Sequence, residues 1–212
     1  WPDLVGTLGL MVAVTAFVAF GNDSVEALFK YVSFLLYGVY ILFFVLAFTR
    51  FGDRIAEQFS QPAITSGWAM GGLSYAGYNL MGAVLILPVI RHMRSDRDAV
   101  VAGILAGPLA MAPAILFFIC MAAFPELKDS ELPSDNLLSR LGHPAFHTLF
   151  QAMILSALLE SSTGIVHSVN QRVASVVSGE LTLRWRVAIS LLVLALCMFL
   201  ATHFGLVELI AR

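Results

Sequence analysis

Five polar side chains share one face of a single apolar stretch. Ser156, Glu160, Thr163, His167 and Asn170 recur at i, i+4, i+7, i+11 and i+14, a spacing that aligns them along one stripe of an α-helix. Glu160 stands inside the run MILSALLESSTGIV. An ionisable group at such depth is expensive and usually faces a bundle interior, a partner or a watery path, so this carboxyl could carry a proton or a cation. The competing reading is a structural glutamate hydrogen-bonded to a neighbouring helix. His167 and Asn170 lie near the end of the stretch, where the membrane interface accounts for them as well as a site does.

A second cluster sits in Gly67 to Ile90, GWAMGGLSYAGYNLMGAVLILPVI, which is long and apolar enough to cross a bilayer. Gly71, Gly72, Ser74, Tyr75, Gly77, Tyr78, Asn79 and Gly82 crowd its middle, and Pro88 follows. Glycine loosens a helix, while Ser and Asn offer the backbone other partners. Irregular backbone at membrane depth is tolerated where it lines a cavity or is buried in protein. The composition therefore predicts an interruption near Ser74–Asn79 that holds a small solute. The other reading is helix packing, because Gly67/Gly71 and Gly72/Ala76 are small residues four apart. Tyr75, Tyr78 and Asn79 favour a site, since hydroxyls and an amide facing lipid are costly.

Other reactive residues carry less. His143 and His147 are four apart, but Pro144 makes His143 a helix cap, and no third ligand converges, so no metal site is expected. Cys120 and Cys197 stand in different apolar stretches and read as small buried hydrophobes without a disulfide. The stripe Tyr37, Tyr40, Phe44 reads as packing or interface anchoring. No nucleophile–base pair, phosphate loop or redox motif occurs, so the chain is not expected to be an enzyme; an intramembrane hydrolase would have only Glu160 and scattered histidines to work with.

The elements that must position these groups are membrane helices. Hydrophobic residues make up 59% of the 212, and charged residues 12%, about half the share usual in soluble domains. The net charge of −2 and the lack of a basic run exclude a nucleic-acid partner. Six spans are expected: about Leu4–Phe20, Ala27–Phe48, Trp68–Ile90, Ala99–Phe124, Phe146–His167 and Val187–Leu206. Pro108 and Pro113 fall inside the fourth and are expected to kink it. The longest connection, Pro125–His143, is acidic and reads as a surface loop or short helix. Seven basic residues, including Arg91, Arg94, Arg97, Arg172, Arg184 and Arg186, fall on one face of this topology and five on the other. That bias puts the two arginine clusters in the cytoplasm and Pro125–His143 outside. The start at Trp1 and the stop at Arg212, directly after an apolar span, suggest a segment of a longer protein.

The runs LSYAGYNLMGAVLILPVIRHMRS, AGILAGPLAMAPAILFF and LLESSTGIVHSVNQRV resemble the YkvI family of bacterial membrane proteins, most strongly over Leu73–Val173. That resemblance implies a transporter of the amino-acid/polyamine/cation permease-like group in the bacterial inner membrane, with the LeuT fold of five-plus-five inverted repeats. The 212 residues would form one transmembrane domain matching helices four to nine of a ten-helix core, with the missing helices of the same protein as partners. Ser74, Tyr75, Gly77, Tyr78 and Asn79 would take the unwound substrate-binding segment. Ser162 and Thr163, with Glu160 just before them, would lie where sodium-coupled relatives hold the ion. Glu160 departs from the usual sodium pattern, which makes proton coupling or a cationic substrate as plausible as sodium.

The expected function is secondary transport of a small amino-acid-like or cationic solute coupled to sodium or protons, with no other cofactor. The alternative is a non-transporting membrane sensor or assembly subunit on the same scaffold. Oligomeric state has no signature in the sequence.

Overall fold

The computed structural model describes residues 2–60, 66–80, 93–127, 133–177 and 181–204, and every regular element among them is helical. The α-helices are α1 (Pro2–Phe20), α2 (Asn22–Phe59), α3 (Trp68–Leu80), α4 (Asp96–Ala122), α5 (Pro133–Leu141), α6 (Pro144–Val177) and α7 (Leu183–Phe204), with a 3₁₀ turn at Pro125–Leu127 before α5. Four of them, α2, α4, α6 and α7, are long and apolar enough to cross a membrane, and Val5–Phe20 is a shorter apolar helix. This is an all-helical membrane protein. The expected third span begins as α3, and its second half lies outside the described residues.

Helix ends follow local chemistry. Ser95 caps α4: its hydroxyl accepts from the backbone N–H of Asp98 at 3.2 Å, and Asp98 Oδ2 accepts from the N–H of Arg94 at 3.1 Å, a reciprocal cap with acid in the first turn. Pro144 opens α6, where its missing N–H costs nothing, and His143 is the cap: its carbonyl accepts from His147 N–H at 3.0 Å. The chain turns from α1 into α2 at Gly21, whose φ of +89° is left-handed. A Cβ there would stand 3.1 Å from the Arg186 guanidinium, the movable end of a flexible side chain, so it is the left-handed backbone that calls for glycine.

The chain divides into two compact units, residues 1–32 with 155–212, and residues 33–154. In the first, α1 packs on α7. Val14, Val18 and Val166 are buried together, with Leu10, Leu159, Val193 and Leu194 around them. Gly164 of α6 lets the ring of Phe29 approach so closely that a Cβ would lie 2.9 Å from its Cζ.

The second unit has the larger core. Val39, Phe43, Ala47 and Ile55 of α2 meet Cys120, Ala123 and Phe124 at the end of α4 and Phe146, Phe150 and Met153 of α6. The connection expected as a surface loop or short helix does more than link spans. Leu127 of the 3₁₀ turn and Leu137, Leu138 and Leu141 of α5 are buried in that same core. Leucines 137, 138 and 141 share one helical face, and burying it gives this nine-residue helix the support its length cannot supply.

Candidate functional site

α6 carries the polar stripe expected of it. Thr163 is fully buried and Asn170 is 4% exposed; Ser156, Glu160 and His167 are half-buried. Ser162 is half-buried one position before Thr163. Glu160 has no hydrogen bond or ion pair among the described residues. Asn170 donates through Nδ2 to Ser190 Oγ of α7 at 3.0 Å and to the Val166 carbonyl at 3.3 Å. Ser190 in turn donates to the Arg186 carbonyl at 2.7 Å, which fixes the lone pairs that face Asn170.

Three buried side-chain oxygens in this first unit have no hydrogen-bond partner among the described residues: Thr163 Oγ1, Asn170 Oδ1 and Thr15 Oγ1 of α1. A threonine in a helix can turn its hydroxyl back to the carbonyl four residues earlier. Thr49 and Thr202 do so, at 2.9 Å each, and Thr15 and Thr163 do not. The stripe therefore presents acceptors to the interior of the unit, with the Glu160 carboxyl one turn from Thr163. Such a set can meet a cation or the hydrogens of water.

The other expected cluster differs from its forecast. The helix α3 runs unbroken through Ser74, Tyr75, Gly77, Tyr78 and Asn79. The interruption read into this stretch is corrected for a physical reason. Asn79 donates its side-chain amide back to the Tyr75 carbonyl at 2.8 Å, and Gly71 N–H donates to Gly67 O at 3.0 Å, so the helix absorbs its own polar groups. Glycine permits a break without requiring one. Ser74, Tyr75, Gly77 and Asn79 are exposed along α3. Residues Gly82 to Ile90, including Pro88, lie outside the described residues. The α3 group belongs to the second unit, and Glu160, Ser162 and Thr163 to the first.

Two arrangements in the second unit have no counterpart in the sequence reading. Pro113 has no N–H, which frees the carbonyl of Leu109 four residues earlier, and the Tyr37 hydroxyl of α2 donates to that carbonyl at 3.2 Å. Helix α4 continues through both Pro108 and Pro113. Tyr40, by contrast, packs as expected, edge-on to Phe150 with centroids 5.9 Å apart. The second arrangement pins the 3₁₀ turn and α5. Glu126 accepts from Arg54 of α2 at 3.0 Å and from Arg140 of α5 at 2.6 Å, and both guanidiniums lie over the Phe124 ring, at 4.2 and 5.0 Å. Glu126's own backbone N–H and Arg140 hold its carboxyl below the usual carboxylate range. His147 Nε2 faces Asp135 Oδ1 at 2.6 Å; the carboxylate can only accept, so that nitrogen carries the proton. This bond holds Asp135's carboxyl low, and Gln151 adds a longer one at 3.4 Å. His147 is thus committed to α5, while His143 stays at the helix cap.

The sequence signals for these were present in part. A proline in a spanning helix marks the carbonyl four residues earlier as needing a donor, and the tyrosine stripe supplied one. Ser190 and Thr15 are lone hydroxyls in apolar runs, and only tertiary packing reveals them. Compared with protein-family models, with curated proteins and with solved structures, the chain finds no match in any of the three.

Proposed function

We propose that the chain is the core of a secondary active transporter for a small amino-acid-like or cationic solute, coupled to sodium or protons across a bacterial inner membrane. The observation that carries this reading is Thr163. Its hydroxyl is fully buried in a membrane-spanning helix without a hydrogen-bond partner among the described residues, one turn from the half-buried Glu160 carboxyl. Intramembrane carboxylates are costly to keep and mark ion or proton paths by default. The resemblance of the runs through α3, α4 and α6 to the YkvI family points the same way, and with it to an inverted-repeat bundle.

In this reading Glu160, Ser162 and Thr163 hold the coupling ion, whose binding shifts the populations of inward- and outward-open states. The solute meets the side chains of Ser74 and Tyr75 on α3, with Gly77, Tyr78 and Asn79 completing that stretch. A continuous α3 means recognition there by side chains rather than by unwound backbone.

Uptake into proteoliposomes tests it. Labelled amino acids and organic cations are screened under sodium and proton gradients for wild type, Glu160→Gln and Thr163→Val. Gradient-driven uptake in wild type, lost in both variants, is the expected result. Ligand binding by folded protein without any flux would refute the transport reading and favour a sensor.

A further inference from the structure

We propose that the first unit binds a short file of water molecules along α6, running from Thr163 past Val166 to Asn170, with Thr15 of α1 on its flank. Nearly all buried polar atoms find a partner, and internal water serves those that the protein leaves over. Thr163, Asn170 and Thr15 are 0%, 4% and 9% exposed, and each keeps one oxygen that no described protein group meets. Asn170 makes the case sharpest. Both hydrogens of its amide are used, on Ser190 and Val166, so its Oδ1 has only acceptor capacity left and calls for a donor that the described chain does not supply.

Geometry selects water over a bare ion for the file as a whole. Thr163 and Asn170 are seven residues apart on one face, about 10 Å along the axis. Even a large hard cation such as calcium reaches its oxygens at roughly 2.3–2.6 Å, so a single ion cannot serve both. Water needs two to four polar partners and can link acceptors at that separation through its neighbours. Thr15 belongs beside the file because Val14 and Val18, which flank it on α1, pack against Val166 midway between Thr163 and Asn170.

The hydration stands without the transport reading; its use, to carry the coupling cation or proton between Glu160 and the α6–α7 end, rests on that reading. The test is pulsed hydroxyl-radical labelling of the purified protein in lipid nanodiscs, read by mass spectrometry in H₂¹⁸O. Radicals form from water in place, so a bound file oxidises buried side chains beside it. Val166, 2% exposed, is expected to be labelled in wild type and several-fold less in Thr163→Val, which keeps the side-chain shape and removes the acceptor. A Val166 that stays unlabelled in wild type, or is labelled equally in the variant, overturns the proposal. Should Thr163→Val fail to fold, Thr15→Val gives the same readout from α1. Labelling that persists without gradient-driven uptake keeps the water file and removes the transport reading.

Discussion

Replacing Tyr37 by Phe deletes one oxygen, and the consequence depends on a residue on another helix. Pro113 leaves the Leu109 carbonyl without its helical donor, and the Tyr37 hydroxyl fills that role at 3.2 Å. The bond is longer than the 2.5–3.0 Å usual for O–H···O, so its net worth lies low in the roughly 0.5–1.5 kcal/mol range for a protein hydrogen bond. Interhelical hydrogen bonds measured within a membrane average about 0.6 kcal/mol, which agrees. Tyr37→Phe is therefore expected to cost about 0.5–1 kcal/mol, with no cavity contribution because the ring remains. Pro113→Ala restores an N–H that can reach Leu109 O, and in that background the hydroxyl has nothing left to satisfy. Reversible unfolding in mixed micelles, run as a double-mutant cycle, measures the difference. The expected outcome is that Tyr37→Phe costs its full amount beside proline and close to nothing beside alanine. Equal costs in the two backgrounds would refute the assignment, whatever their size.

Two further perturbations follow from the packing. Gly164→Leu drives a side chain into the Phe29 ring, which already stands 2.9 Å from where a Cβ would be, and should destabilise by about 1–3 kcal/mol, as overpacking does, measured by the same unfolding assay; an unchanged midpoint would mean that the two helices do not touch there. The carboxyls of Glu126 and Asp135 are held below the ordinary carboxylate range, so their bonds add stability above that range and lose it as pH falls through the lowered values. The melting-temperature gap between wild type and Glu126→Gln, whose partners are the permanently charged Arg54 and Arg140, should stay constant from pH 7 to 5 and close in more acid solution; a gap that widens with acid would reverse the sign and sink the reasoning.

The parts of this fold legible in sequence are those where one helix decides the outcome by itself. The α6 stripe follows from a period of 3.6, the start of α6 from Pro144, and the cap of α4 from Ser95 and Asp98. The forecast for α3 failed because its glycines and Asn79 carry opposite implications that composition cannot weigh. Glycine lowers the cost of leaving the helix, and the Asn79 amide removes the need by bonding the Tyr75 carbonyl. The burial of α5 was hidden for another reason. Its three leucines are diluted among polar residues, and only the apolar ends of α2, α4 and α6 give them a surface to cover.

Polar groups within these apolar helices sort by where their hydrogen bonds go, and the sorting separates structure from chemistry. Thr49 and Thr202 spend theirs on their own helix, so substituting them tests local stability alone. Tyr37, the Asn170 amide nitrogen and Ser190 involve a second helix and hold the packing together. Thr15 Oγ1, Thr163 Oγ1 and Asn170 Oδ1 have no described protein partner, and leaving a buried acceptor unmet costs about 1–3 kcal/mol each. Selection for stability alone favours valine at positions 15 and 163, where it fits the shape of threonine and carries no such cost. Threonine there is what the proposed water file would account for. That is why the α6 stripe, rather than the glycine-rich α3, is the first place to look for a ligand.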